Sequence, residues 1–204
     1  MRKEGIRGKL LQIVLLPIVF FGISIMFLGV ILIYNYGKNS IREEVEATAY
    51  ILKGCLDLSV QGDYQYKNGV LKKGSKNITD PTLLYQIKEN SQIDTTIFWE
   101  DTRIITTVKN AYGVSAVGTN ADKKVVDCVL QNGKNYFSEE LGIHGVRYIG
   151  YYTPLTNEDG DIVGMVFAGK TSSQVFKQIQ WMLILFVFSY HRIFAVTFDE
   201  NFSR

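Results

Sequence analysis

The sequence predicts an α+β domain hung outside a membrane from an N-terminal helix. Three observations point there. From Leu10 to Gly37 no side chain carries a charge. Downstream, β-branched and aromatic runs bracket short turn signals, as strands do. Among them, residues 38–60 and 122–131 space their apolar side chains as helices.

At 204 residues the chain suits one domain with accessories and is too short for a large multidomain enzyme. It is 47% hydrophobic and 21% charged, a folding rather than a disordered composition. With 22 basic against 20 acidic residues, the net charge of +2 gives no reason to expect nucleic acid as a partner. The only cysteines, Cys55 and Cys128, exclude a disulfide scaffold and a CxxC metal site. They read either as one exported disulfide or as two small apolar residues on helices.

The uncharged run is long enough to cross a bilayer, which takes roughly 20 apolar residues, and bilayer helices tolerate Pro17 and Gly22. A cleaved signal peptide is the rival reading. The run outlasts such a core and ends at Tyr34-Asn35-Tyr36 without a small-residue cleavage site. Arg2, Lys3, Arg7 and Lys9 precede it against Glu4 alone, so the positive-inside rule keeps the N-terminus in the cytoplasm and exports the chain beyond the run. A second apolar run, Ile179 to Tyr190, is interrupted by His191-Arg192 and is short for a span. The division expected is therefore 1–9 cytoplasmic, 10–36 membrane helix, 37–177 exported domain, and 178–204 the start of an incomplete second span with a short tail.

Within the exported domain, Ile41, Val45, Thr48, Leu52, Cys55 and Ser59 form a heptad seam that would pair with a second copy. Val45, Ala49, Leu52 and Leu56 form the alternative face, which would pack on the helix's own domain. Tyr64 to Lys67 reads as a strand entering a hairpin at Asn68-Gly69, where both turn positions accept positive φ. Asp80-Pro81 opens a short helix through about Asn90. Thr95 to Trp99 and Arg103 to Val108 flank the turn Glu100-Asp101-Thr102 as a central hairpin. Asp122 to Gln131 is helical and stops at Asn132-Gly133. A last pair of strands spans His144–Leu155 and Ile162–Lys170 around the turn at Asn157 to Gly160. This order fits one meandering sheet with a helical crossover.

Motifs for catalysis are missing: there is no HExxH, GxSxG, Walker loop or GxGxxG, and the histidines are His144 and His191 alone. The expectation is a non-enzyme with no cofactor and no metal. Asn77-Ile78-Thr79 matches a glycosylation sequon, a weak signal. Two strands are unusually polar. Arg103 stands near Thr106 and Thr107, and Arg147 shares a strand with Tyr148, Tyr151 and Tyr152. Converging in a pocket, such groups would hold a small anion, guanidinium to carboxylate. Left apart, they are strand faces with half-buried tyrosines. Gly118-Thr119 ahead of the crossover helix reads as an anion site at a helix N-terminus or as a simple cap.

Several segments then resemble a single Cache sensor domain of bacterial methyl-accepting chemotaxis proteins. They are TIFWEDTRIITTV, VGTNADKKVVDCVLQNGKNYF and YIGYYTPLTNEDGDIVGMVFAGK. The resemblance rests on Arg103 with Thr106, Gly118-Thr119, Tyr148 with Tyr152 and Pro154, Gly160 with Gly164, and Gly169 closing the last strand. It implies a PAS-like fold, a long N-terminal helix against an antiparallel sheet whose other face encloses a pocket for organic acids or amino acids. Carried over, Arg103 and Thr106 would meet a ligand carboxylate, and Tyr148 and Tyr152 would line the cavity. Trp99 and His144 are looser candidates that no motif fixes.

The chain thus reads as the sensory region of a chemotaxis receptor in the inner membrane, working as a homodimer. Histidine kinases and diguanylate cyclases carry similar sensors and are the nearest alternatives. A membrane-tethered enzyme or a non-signalling anchor is the remaining one. A chemoreceptor would continue into a HAMP linker and a methylated helical hairpin. The residues after Tyr190 resemble neither, which suggests a truncated or frameshifted receptor or a fragment.

Overall fold

In the computed structural model the backbone is described for residues 6–202 and the side chains for residues 17–189 and 192. The side chains of the basic flank before the apolar run, and that of His191, lie outside those residues. One helix, α1 (Ile6–Ser59), takes in both the apolar run and the predicted helix after it, with Pro17 inside. It is the one helix among the described residues long and apolar enough to cross a membrane. At the other end α4 (Ser172–Phe202) continues through His191 and Arg192 without a break, so the polar pair interrupts the apolar pattern but not the helix.

Contacts divide the chain into two units. One takes α1 as far as Asn39 and α4 from Phe176; the other is Ser40–Val175. In the first, Gly29 lies under the Phe186 ring and Gly37 lies against Ile179, so the two helices run antiparallel with glycines admitting the partner's side chains.

The second unit carries the sheet. The remainder of α1 leads to β1 (Tyr64–Lys67), β2 (Val70–Lys73) and β3 (Lys76–Asn77), then α2 (Thr82–Ser91). The strands β4 (Asp94–Trp99) and β5 (Thr102–Thr106) come after it. Next are α3 (Lys123–Val126), prolonged by a π-helical turn at Asp127–Gln131, and β6 (Tyr136–Ile143), β7 (Val146–Thr156) and β8 (Ile162–Thr171). Asn68 and Gly69 both adopt positive φ, 53° and 78°, as the first hairpin requires.

The strands form two sheets rather than a single meander: β1-β2-β3, and an antiparallel β5-β4-β8-β7-β6. Pairing of β4 with β8, far apart in sequence, breaks the meander. The edge strand β6 has no counterpart among the elements the sequence predicts, and it adds a hairpin turn at His144 and Gly145, both at positive φ, ahead of the predicted one at Asn157 to Gly160.

One face of the large sheet (Ile97, Ile105, Tyr151, Leu155, Val166, Ala168) packs on Val45, Ala49, Leu52 and Leu56 of α1. Most of the heptad seam is also buried there, with Ile41, Val45, Thr48 and Leu52 each no more than 8% exposed. Cys55 is exposed and Cys128 half-buried, and both are free thiols, so the disulfide reading falls away. Three polar ties fasten α1 to the sheet: Lys53 Nζ to Pro154 O (2.7 Å), Lys170 Nζ to Glu44 Oε1 (2.7 Å), and the Tyr50 and Tyr151 hydroxyls (3.3 Å). The opposite face presents Phe98, Tyr148, Tyr152, Met165 and Phe167 beneath Val125 and Val129 of the α3 segment.

Candidate ligand-binding site

Strict alternation along a strand would turn Arg103 and Thr106 to opposite faces. A bulge prevents this: Ile97 pairs with Ile105 but Phe98 pairs with Arg103, leaving Ile104 extra. Ile104 and Ile105 both join the α1-side core, and Arg103 turns to the α3 side against the ring of Phe98, 4.9 Å away.

Arg103 is 3% exposed. The returning loop clasps it: its backbone N–H donates to Thr119 O (2.9 Å), and its carbonyl accepts from Gly118 N (2.8 Å). Its Nη1 donates to Thr119 Oγ1 (2.9 Å) and Asn120 O (2.8 Å). Gly118 and Thr119 are thus neither an anion site nor a helix cap. Asp122 caps α3, accepting from Lys124 N (2.9 Å), and Gly118-Thr119 holds the arginine. Nε of Arg103, though buried, has no hydrogen-bond partner.

The guanidinium forms part of the wall of a cavity of about 360 Å³, shared with Asp122, Lys124, Tyr136, Glu140 and Tyr152. Burial lowers the pKa of Arg103, opposed by the Tyr152 and Tyr148 hydroxyls nearby. Burial pushes Tyr152 up to about 12 against the pull of Arg103. Tyr148 rises well above the usual phenol range, by burial and then by the neighbouring Asp94 carboxylate. Among the described residues no group of three His, Cys, Asp or Glu side chains could hold a metal ion.

This combination of sheet, clasped arginine and pocket coincides with a sequence match to single Cache domain 3 over residues 76–181. The chain belongs to the single Cache domain family. Such domains are sensory rather than catalytic and bind small molecules. Among solved structures the chain is similar to the crystal structure of the E. coli DcuS sensor domain, at 16% identity and a TM-score of 0.37, covering 49% of this chain and 71% of that one. No curated protein matches it.

Within the Cache domain, Arg103 and Tyr152 meet at the cavity. Thr106 and Tyr148 occupy the same sheet face away from its wall. Thr106 shares a 2.6 Å hydroxyl hydrogen bond with Thr96, and Tyr148 donates to Asp94 Oδ2 at 3.1 Å. Trp99 lies elsewhere, packed on Tyr66 with 6.1 Å between ring centroids, and His144 is exposed in the β6–β7 turn. Sequence reasoning misses Tyr136 and Glu140, because β6 itself escapes it, and treats Asp122 and Lys124 only as parts of a helix.

The buried tyrosines set an alkaline limit on this Cache domain. Tyr152 holds its proton to about pH 12 when folded and to about pH 10 when unfolded, so its contribution is complete below about pH 10 and lost as pH rises through about 12. Tyr148 and Tyr64 shift in the same direction. Urea unfolding at about pH 9 and about pH 11.5 should show stability falling with pH, and Tyr152→Phe should flatten the fall. Equal slopes in the two proteins would contradict the assignment.

Proposed function

We propose that the chain is the membrane-anchored sensory region of a chemotaxis receptor, whose Cache domain lies outside the cytoplasm and binds a small carboxylate-bearing molecule. The apolar half of α1 is the anchor, and the basic residues before it favour a cytoplasmic N-terminus in the inner membrane. The observation that carries the ligand class is Arg103: a buried guanidinium, held in place through Nη1, that forms part of the cavity wall. A carboxylate in the cavity would pair with that guanidinium through a charge-assisted bond.

Signal transfer has a short route. Beside the cavity residue Tyr136, Asn135 Nδ2 donates to the Tyr50 hydroxyl of α1 at 2.8 Å, and Tyr50 in turn meets Tyr151. A ligand that prefers one setting of this link shifts α1 only by its differential affinity for the two settings. Because most of the heptad seam is consumed inside the domain, pairing with a second copy falls to the opposite side of α1, where Ile51 and Leu58 are 60% and 90% exposed.

A thermal-shift screen of the full chain in detergent against organic acids, amino acids and neutral analogues tests the ligand class. A ligand at about 100 times its Kd should add about 2.7 kcal/mol. The shift should vanish in Arg103→Met while circular dichroism stays unchanged. Shifts produced by neutral compounds alone would overturn the carboxylate reading.

A further inference from the structure

Resting on the reading of α1 as a membrane helix, we infer that the outward face of α4 docks a transmembrane helix of a different protein, one with an Asp or Glu at the middle of its span. Contacts in the membrane unit fix the depths. Gly37 lies against Ile179 and Gly29 against Phe186, an antiparallel register that sets Trp181 level with Tyr34. Both rings are exposed, as aromatic residues at a membrane surface are. Helix α4 runs unbroken past Arg192, eleven residues beyond Trp181. At about 1.5 Å per residue that is about 17 Å, the middle of a hydrocarbon core about 30 Å thick. From Ile179 to Phe198 no Asp, Glu or Lys occurs, and Arg192 is the single Arg.

Arg192 also faces away from α1. Ile179 is buried and Phe186 half-buried, whereas Trp181, Leu185 and Phe188 are 64%, 61% and 60% exposed. The helical repeat puts Arg192 on that exposed stripe, and its own side chain is exposed. A guanidinium at this depth is costly until a counter-charge meets it. The acids of its own unit are Glu4, Asp199 and Glu200. Glu4 precedes the membrane run, and the other two lie about two turns further along α4, beyond the reach of a pair on one helix. None of the ion pairs among the described residues engages Arg192. A second copy brings its own Arg192 to the same depth, where like charges repel. Lipid phosphates lie beyond the core's edges, about 15 Å away. A carboxylate on a neighbouring helix neutralises the guanidinium through a charge-assisted bond, and Trp181, Leu185 and Phe188 supply the packing above it.

The test reconstitutes the full chain in phosphatidylcholine vesicles with poly-leucine helices of about 20 residues, and reads association by energy transfer between labels on the two. A helix with Asp at its centre should bind at least about tenfold more tightly than the all-leucine helix. Arg192→Leu, still helical by circular dichroism, should bind both alike, and moving the Asp to either end should lose the gain. Equal binding of the central-Asp and all-leucine helices to the parent chain would overturn the inference. So would an undiminished preference in Arg192→Leu, or an Asp that works equally well at the ends. The anchor reading has its own readout: the exposed Cys55 should react with a membrane-impermeant thiol reagent on intact spheroplasts. Labelling of Cys55 only after lysis would overturn the anchor, and the docking face with it.

Discussion

Asp94→Ala should destabilise the domain by about 3 kcal/mol, and Asp94→Asn by about 1 kcal/mol. Asp94 opens β4 and is 5% exposed. Its Oδ1 accepts from Lys88 Nζ (2.6 Å) and Thr107 Oγ1 (2.7 Å), and its Oδ2 from the Tyr148 hydroxyl (3.1 Å). One carboxylate thereby joins α2, the chain just past β5, and β7. Alanine leaves the Tyr148 hydroxyl without an acceptor in the interior and the Thr107 hydroxyl with only the long contact to Thr95 O (3.5 Å), and an orphaned group costs roughly 1–3 kcal/mol. The Lys88 ammonium costs less, because its side chain is 36% exposed and turns to water. Asparagine keeps an acceptor and the volume. Urea unfolding of the full chain in detergent measures both variants, and equal losses would show that the hydrogen bonds at this carboxylate do not set the cost.

Gly164→Ala should cost about 3 kcal/mol for a different reason. Strand β8 is the middle strand of the five, paired with β4 on one side and β7 on the other. A Cβ on Gly164 would land on the carbonyl oxygen of Phe98 and lie 3.1 Å from its carbon. Both are backbone atoms of the neighbouring strand, so no side chain can swing aside, and relief requires β4 and β8 to part at the centre of the sheet. Gly54→Ala is the matched contrast. That glycine lies in α1 with nothing within 4 Å of the added carbon, and the exchange should stabilise by about 0.5–1 kcal/mol. Thermal unfolding of the two variants should move in opposite directions, and a Gly164→Ala chain as stable as the parent would disprove the close approach.

Local chemistry makes much of this fold legible. Asn68-Gly69 announces its hairpin because few other pairs accept two positive φ values, and the α3 segment shows in the helical spacing of Asp122 to Gln131. The inward face of α1 is visible in the spacing of Val45, Ala49, Leu52 and Leu56. Strand β6 is not visible. It lies at the sheet edge with Ser138, Glu139 and Glu140 in its middle, so its alternation is weak and its composition resembles a loop. The second sheet is hidden too, because β4 and β8 find each other only after the chain between them has folded back. At the site, Arg103 stands out as a charge inside a β-branched run. Its clasp by Thr119 and Asn120 is a long-range contact that no local pattern encodes. The acids on the cavity wall come from separate segments, one of them the inconspicuous edge strand.

The bulge at Ile104 gives β5 an unusual tolerance. What aims the guanidinium is the bulge between Arg103 and Ile105, not the identity of the residue within it, whose side chain merely joins the apolar layer beside Ile105. Many apolar residues therefore serve at that position. The same residues paired without the bulge would restore regular pleating and turn the strand preceding Ile104 over, delivering the arginine into a greasy interior with no counter-charge. Drift by substitution along this strand is thus held to keeping the bulge rather than to the side chain within it.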